Sequence, residues 1–132
     1  MTIDGRCLTG GFAIGVQAWS FHRFTAFEAI EKTAETGAKV IELVPGQRLA
    51  RGAGKLALHH NAGAGVVAKV RAKLAACGVR AVNYGCVGLP NDERECSRVF
   101  EFARRMGLYA VTSEPDPAAF GLIERLARRF NV

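Results

Sequence analysis

The sequence lacks any apolar run long enough to cross a membrane: none approaches the roughly 20 residues that a membrane-spanning helix requires. It opens with MTIDGRCLTGGFAIG, which carries an aspartate and several glycines where a secretory signal would carry a basic patch and an apolar run. From these two absences we predict a cytoplasmic protein with no membrane partner.

Cysteine is sparse and irregularly spaced. The four cysteines form no CxxC pair, and with the three histidines they match no zinc-binding pattern. Cys77 and Cys96 fall on the apolar faces of predicted helices, where a reduced cysteine serves as a small hydrophobic residue. We therefore interpret the cysteines as reduced thiols, as is usual for a cytoplasmic protein.

Signals for nucleic-acid binding are also missing, although the formal net charge is +6. Arginine pairs at 104–105 and 128–129 lie in the last turns of two predicted helices, and acidic residues such as Asp92 and Asp116 lie at the starts of these helices. This polarity complements the helix dipole and accounts for much of the basic excess. No basic run is interleaved with aromatic residues, and no helix-turn-helix or RNP-like motif is present. We predict no nucleic-acid partner.

Glycine-rich phosphate motifs are incomplete. GGFAIG precedes the first predicted strand, whereas a dinucleotide fingerprint lies between a strand and a helix. GAGK at 52–55 has Leu49 in place of the first glycine of a phosphate loop and Leu56 in place of its Ser or Thr. Neither motif predicts a nucleotide site.

A repeated pattern is the strongest feature that the sequence does contain. ETGAKVIEL at 35–43, ACGVRAVNY at 76–84 and RMGLYAVTS at 105–113 each join the end of a helix to an apolar strand through Gly37, Gly78 or Gly107. A glycine just past a helix favours the left-handed conformation that ends it. With 49% hydrophobic residues the chain is able to bury a core, and its length fits one domain.

The pattern predicts four βα units in succession and therefore a parallel sheet covered by helices. The first strand is AIGVQAW at 13–19. The last helix is predicted to start with Asp116 as N-cap and Pro117 at its first position. The spacing of its apolar residues predicts a buried face made of Phe120, Ile123, Ala127 and Phe130. The Gly- and Ala-rich connection at 44–65 is predicted to be a flexible loop. Asn131 and Val132 match the residues that precede the other strands, so we expect an interrupted repeat.

Ligands of parallel α/β folds bind at the carboxyl ends of the strands. The polar residues there are Gln17, Trp19, Ser20, His22, Glu42, Asn83, Tyr84, Ser113, Glu114 and Asp116. Glu42 lies within the apolar run IELV, so it is either a site residue or a structural carboxylate with hydrogen-bond partners. Asp116 fits a helix cap better than a ligand. His59, His60 and Cys86 are weaker candidates, because adjacent loop histidines are commonly solvated and no histidine near Cys86 in sequence would activate it.

Two stretches, GVQAWSFHRFTAFEAIEKTAETGAKVIELVPG and GVRAVNYGCVGLPNDERECSRVFEFARRMGLYAVTSEPDP, resemble the sugar phosphate isomerase/epimerase family, which has the xylose-isomerase-like TIM-barrel fold. The resemblance is most specific in IELVPG, NYG and SEPDP. It implies an N-terminal tail at 1–12 and a partial barrel domain at 13–132, with strands one to four and helices one to four. The implied fold class is α/β, the N-terminal half of a (β/α)8 barrel.

Members of this family use a divalent metal (Mn, Mg or Zn) to move a proton or hydride between neighbouring carbons of a sugar, sugar phosphate or polyol. The resemblance places Trp19, His22, Glu42 and Tyr84 at substrate-binding positions. Glu114 corresponds to a metal-site residue of the endonuclease IV branch. The principal metal ligands of the family lie on strands five to eight, which have no counterpart in this chain. We therefore expect a chain that binds no metal stably and is not catalytic by itself.

Half of a barrel also leaves two open sheet edges, whereas a closed barrel of about 250 residues has none. We expect self-association or a complementing half-barrel as partner. The alternative is a non-catalytic half-barrel binding module, or a fragment of a split gene.

Overall fold

The computed structural model describes residues 3–132; Met1 and Thr2 of the predicted tail lie outside the described residues. The tail forms a 3-10 turn at Gly5–Cys7 and an isolated bridge between Thr9 and Phe12. The strands and α-helices that follow are β1 Gly15–Gln17, α1 Ala26–Glu35, β2 Val40–Leu43, β3 Gln47–Arg48, β4 Ala57–Leu58, α2 Ala64–Ala76, β5 Arg80–Tyr84, α3 Glu93–Met106, β6 Ala110–Val111 and α4 Phe120–Phe130.

Four strands form one parallel sheet in the order β1-β2-β5-β6. Each strand is followed by a helix, and α1, α2 and α3 contact the sheet while α4 packs on α3. The predicted mixed α/β fold with a four-stranded parallel sheet and four helices is therefore confirmed. Gln17 lies opposite Glu42, and Glu42 opposite Asn83, in the register of the sheet.

Helix ends follow the local signals of the sequence. Gly37, Gly78 and Gly107 have φ values of 82°, 63° and 70°, and Asn131 after α4 has φ 56°. These are the left-handed conformations predicted for residues that end a helix. Asp116 caps the 3-10 turn Pro117–Ala119 that leads into α4, and its side chain accepts a hydrogen bond of 2.7 Å from the Ala118 backbone N–H.

The start of α1 is fixed by a capping box. Thr25 Oγ1 accepts a hydrogen bond from the Glu28 backbone N–H at 3.3 Å, and Glu28 Oε2 accepts one from the Thr25 backbone N–H at 2.9 Å. Two N–H groups that would otherwise lack helical partners are thereby satisfied. The same turn forms one wall of the largest cavity described below.

The core is a single hydrophobic cluster between the sheet and the helices. On α4 the buried residues are Leu122 and Leu126, whereas Phe120 is 57% exposed. Three residues of the predicted apolar face are partly buried and pack against the core: Ile123, Ala127 and Phe130. The prediction was wrong for Phe120, and it left out the two leucines that form the buried centre of this face.

The connection at 44–65 is more ordered than predicted. β3 and β4 pair in an antiparallel ladder in which Gln47 lies opposite Leu58. Leu49 and Leu58 are 1% and 0% exposed, and the Leu49 carbonyl accepts a hydrogen bond from the Phe27 backbone N–H of α1 at 3.1 Å. Burial of these two leucines holds the hairpin against α1, an effect that the Gly- and Ala-rich composition concealed.

None of the helices within residues 3–132 combines the length and the apolar character that crossing a membrane demands.

Candidate functional site

A cluster of four polar side chains, one from the carboxyl end of each parallel strand, crosses the sheet. We call Gln17, Glu42, Asn83 and Thr112 the strand-end cluster. Gln17 Nε2 donates to Glu42 Oε1 at 2.5 Å, and Thr112 Oγ1 donates to Glu42 Oε2 at 3.0 Å. Asn83 Nδ2 also donates to Glu42 Oε2, and it lies 2.5 Å from Thr112 Oγ1.

The strand-end cluster explains how a carboxylate is accommodated in an apolar strand. Ile41 and Leu43 are fully buried on the helix side of β2, so Glu42 between them points to the opposite face of the sheet. There its two oxygens accept three hydrogen bonds, which offset the cost of removing the charge from water. Gln17 and Thr112 remain exposed, so the cluster is open to solvent and to a ligand at its two ends.

Two glycines allow the strands to approach closely beside this cluster. A Cβ atom on Gly85 would lie 2.4 Å from the Thr112 carbonyl oxygen, and one on Gly15 would lie 2.5 Å from the Val40 carbonyl oxygen. Both positions exclude any larger residue unless the neighbouring backbone moves. Gly85 thereby brings the segment after β6 close enough for Thr112 to reach Glu42.

Trp19 and His22 lie together in the 3-10 turn and loop that follow β1. Their rings stack with centroids 5.0 Å apart, and Trp19 is 62% exposed. His22 Nδ1 lies 2.9 Å from the Trp19 carbonyl oxygen. Because a carbonyl only accepts, Nδ1 carries the hydrogen of this bond. The two residues that sequence analysis assigned to one site are therefore neighbours, and they present an aromatic surface.

This aromatic surface forms part of a cavity of about 560 Å³ between the β1–α1 segment and the β2–β3 segment. We call it the basic cavity, because its lining includes three arginines, Arg23, Arg48 and Arg51, and a single carboxylate, Glu28. A smaller cavity of about 300 Å³ adjoins it. The two share Trp19, Val44 and Pro45, and the smaller one reaches Gln17 of the strand-end cluster. The basic cavity has the size typical of small-molecule sites.

Tyr84 lies on the other side of the sheet, in the core. It is 0% exposed, its ring lies 4.8 Å from that of Phe102, and its hydroxyl is 3.3 Å from His60 Nδ1. Burial raises the pKa of Tyr84. Burial also lowers the pKa of His60, with the neighbouring His59 contributing in the same direction. The structure thus brings Tyr84 together with His60 rather than with Trp19, His22 and Glu42; its substrate contact stays a prediction.

We expect the folded state to lose stability as the pH falls below about 6.5, the ordinary histidine value. Because the pKa of His60 is lowered in the folded state, the unfolded chain takes up a proton there first, which favours unfolding. Urea denaturation at pH 7.5, 6.5 and 5.5 measures how steeply the free energy of unfolding changes with pH. His60→Gln should reduce this pH dependence, whereas Asn61→Ala, which removes an exposed neighbouring amide, should not. An equal slope in wild type and His60→Gln contradicts the prediction.

Glu114 is exposed, and Asp116 acts as a helix cap, as predicted. Within residues 3–132, no three His, Cys, Asp or Glu side chains come together as a group able to hold a metal ion. Both oxygens of Glu42 are already engaged by the strand-end cluster. The role of Glu114 in a metal site stays a prediction.

Thr112 and the three arginines of the basic cavity were not predicted as site residues. Thr112 follows β6 directly and Arg23 follows His22, so their places after strand ends were usable signals. Arg48 and Arg51 carry no such signal, because Arg48 belongs to the short strand β3 and Arg51 to the turn after it. Their approach to His22 depends on the β3–β4 hairpin, which the sequence did not predict.

The fold and the site define this chain as an α/β protein with a polar cluster at the carboxyl edge of a sequentially ordered parallel sheet. No protein-family model matches the sequence, and neither does any curated protein. It is similar in structure to an uncharacterised protein from Parabacteroides distasonis ATCC 8503, with 26% sequence identity and a TM-score of 0.82. The similarity covers 89% of this chain and 50% of that protein, so this chain spans half the length of its structural relative.

Proposed function

We propose that this chain is a sugar phosphate isomerase/epimerase-like protein that supplies four βα units of a (β/α)8 barrel and binds a sugar or sugar phosphate at the strand-end cluster. The observation that carries the proposal is the position of that cluster. It combines amide, hydroxyl and carboxylate groups from four successive strands, and such groups recognise the hydroxyls of a sugar. In barrels of this kind the substrate binds at the same edge.

The order of the strands supports the half-barrel interpretation. A doubly wound sheet reverses its strand order at a switch point, and its ligand binds there. In this sheet each βα unit adds its strand beside the previous one in the order β1-β2-β5-β6, as successive units of a barrel do. The structural similarity to half of a longer protein agrees with this interpretation.

The chemistry of the family, proton or hydride transfer assisted by a divalent metal, needs ligands that the described residues do not assemble. The contribution of this chain is to bind and orient the sugar: Gln17 and Thr112 offer exposed polar groups, and Trp19 offers an aromatic face. Catalysis requires a second half-barrel.

The proposal is tested by the binding of D-ribose and D-ribose 5-phosphate, followed by NMR chemical shifts of ¹⁵N-labelled chain. We expect shift changes confined to the carboxyl ends of β1, β2, β5 and β6 and to Trp19, with no turnover of either compound by the isolated chain. Glu101→Gln, which alters an exposed carboxylate on α3, serves as the control and should bind the two compounds as wild type does. Binding that maps to the opposite edge of the sheet, or no binding of either compound, would refute the proposal.

The alternative, a non-catalytic half-barrel module that binds a protein partner or a second copy, is favoured by a different observation. Large apolar side chains are exposed beside both edge strands: Phe12 and Ile14 at 73% and 60% next to β1, and Tyr109 at 50% next to β6. Light scattering of the NMR sample distinguishes the two candidates. A dimer that binds neither sugar supports the alternative.

A further inference from the structure

The basic cavity has an excess of positive charge that the described chain does not neutralise. Arg51 Nε forms an ion pair with Glu28 Oε1 at 2.6 Å. Neither Arg23 nor Arg48 has a carboxylate within ion-pair distance among residues 3–132. Two exposed arginines therefore line one cavity without a carboxylate partner from the described residues.

The charge of Glu28 is committed elsewhere. Hydrogen bonds from the Thr25 backbone N–H and hydroxyl, together with Arg51, hold the pKa of Glu28 at about 2, so this carboxylate stays ionised and bound at neutral pH. Glu28 also takes part in the capping box at the amino end of α1, so the helix terminus is not the anion-binding group of this cavity. An anion entering the cavity has Arg23 and Arg48 as its available partners.

The walls of the cavity are held in place by Gln47. This side chain is 8% exposed, and its Nε2 donates to the carbonyl oxygens of Phe21 and Phe24 at 3.2 and 3.1 Å. These two bonds tie β3, which carries Arg48, to the loop that carries His22 and Arg23. The two arginines thus belong to segments joined by a buried contact, which limits how far the walls move apart.

We propose that the basic cavity is an anion subsite in which Arg23 and Arg48 bind the phosphate group of a phosphorylated sugar, while the sugar extends past Trp19 toward the strand-end cluster. The identity of the anion as part of a sugar rests on the proposed function; the anion subsite itself does not. Guanidinium groups bind phosphate through paired N–H donors.

The path between the two sites supports this assignment. The basic cavity and the smaller cavity are neighbours that share Trp19, Val44 and Pro45 as lining residues, and the smaller one is also lined by Gln17. The exposed indole of Trp19 belongs to both linings, and the ring face that does not stack on His22 is the one that a carbon skeleton would contact. A pentose or hexose phosphate has the required order of groups: an anion at one end and hydroxyls along the rest.

Trp19 is the only tryptophan of the chain, so its fluorescence reports on this junction. The experiment titrates the chain with inorganic phosphate, D-ribose and D-ribose 5-phosphate at constant ionic strength. We expect saturable changes with inorganic phosphate and with D-ribose 5-phosphate, and tighter binding of the latter. The double variant Arg23→Gln/Arg48→Gln should weaken both by about tenfold or more, the loss expected for a charged hydrogen bond. Arg94→Gln, which removes one positive charge outside both cavities, should change neither.

Glu28→Gln tests the same subsite in the opposite direction. Glutamine at this position keeps the capping-box hydrogen bond but removes the negative charge that neutralises Arg51. Phosphate affinity should therefore rise several-fold in this variant.

Inorganic phosphate that fails to bind wild type, or that binds the double variant as tightly as wild type, overturns the subsite. Binding of D-ribose without phosphate binding would overturn it and leave the proposed function standing. Equal affinities for phosphate and D-ribose 5-phosphate would support the anion subsite and count against the sugar-binding function.

Discussion

Phe102→Ala should lower the free energy of unfolding by about 3–5 kcal/mol, the usual cost of removing a buried phenylalanine ring. Phe102 is 0% exposed, and its ring centroid lies 4.8 Å from that of Tyr84. The substitution leaves a cavity between α3 and the sheet, beneath the strand that carries Asn83. Urea denaturation followed by circular dichroism measures the loss.

Phe120→Ala is the matched control, since it removes the same side chain from a position that is 57% exposed. Surface substitutions usually change stability by about 0.5 kcal/mol or less. Phe102→Leu keeps much of the buried volume and should cost clearly less than Phe102→Ala, which provides a measurable value if the alanine variant does not fold. Equal losses for Phe102→Ala and Phe120→Ala would contradict the packing described for α3.

The succession of βα units was predictable because each junction carries its own local signal. Gly37, Gly78 and Gly107 adopt the left-handed conformation that the pattern predicted, and each is followed by a strand of the parallel sheet. A helix end followed by an apolar run is determined within about ten residues of sequence, so no distant contact has to be known.

The elements that were mispredicted depend on distant contacts. The β3–β4 hairpin is held by Leu49 and Leu58, which are buried against parts of the chain far away in sequence. On α4 the spacing placed Phe120 on the buried face together with Ile123, but only Ile123 packs against the core. Periodicity gives the approximate face of a helix, and tertiary packing decides which residues at its margin are covered.

In the candidate site, too, the residues with a local signal were predictable and those that depend on distant contacts were not. Glu42 was identifiable because a carboxylate within an apolar strand needs a partner. Gln17 and Asn83 were recognisable as polar residues at strand ends, but their hydrogen bonds to Glu42 follow from the register of the sheet. The basic cavity was not predictable, since Arg23 and Arg48 come together only through the hairpin and the buried amide of Gln47.

Glu42 is either a structural carboxylate or a sugar-binding residue, and two substitutions distinguish these roles. Glu42→Ala leaves the donors of Gln17, Asn83 and Thr112 without their shared acceptor. We expect a loss of about 2–3 kcal/mol in the free energy of unfolding, because hydrogen bonds to a charged group contribute more than neutral ones and water reaches the cluster only in part. Glu101→Gln on the exposed face of α3 should have no measurable effect.

Glu42→Gln keeps the shape of the side chain but replaces one acceptor oxygen with a donor, which then faces another donor from Gln17 or from the Asn83–Thr112 pair. Its stability should therefore fall between those of wild type and Glu42→Ala. If Glu42 also orients the sugar, Glu42→Gln weakens binding of D-ribose 5-phosphate about tenfold while inorganic phosphate binds the basic cavity as before. A stability loss with unchanged affinity for both compounds would instead assign Glu42 to the sheet alone, because the cluster would then join the strands without contacting the ligand.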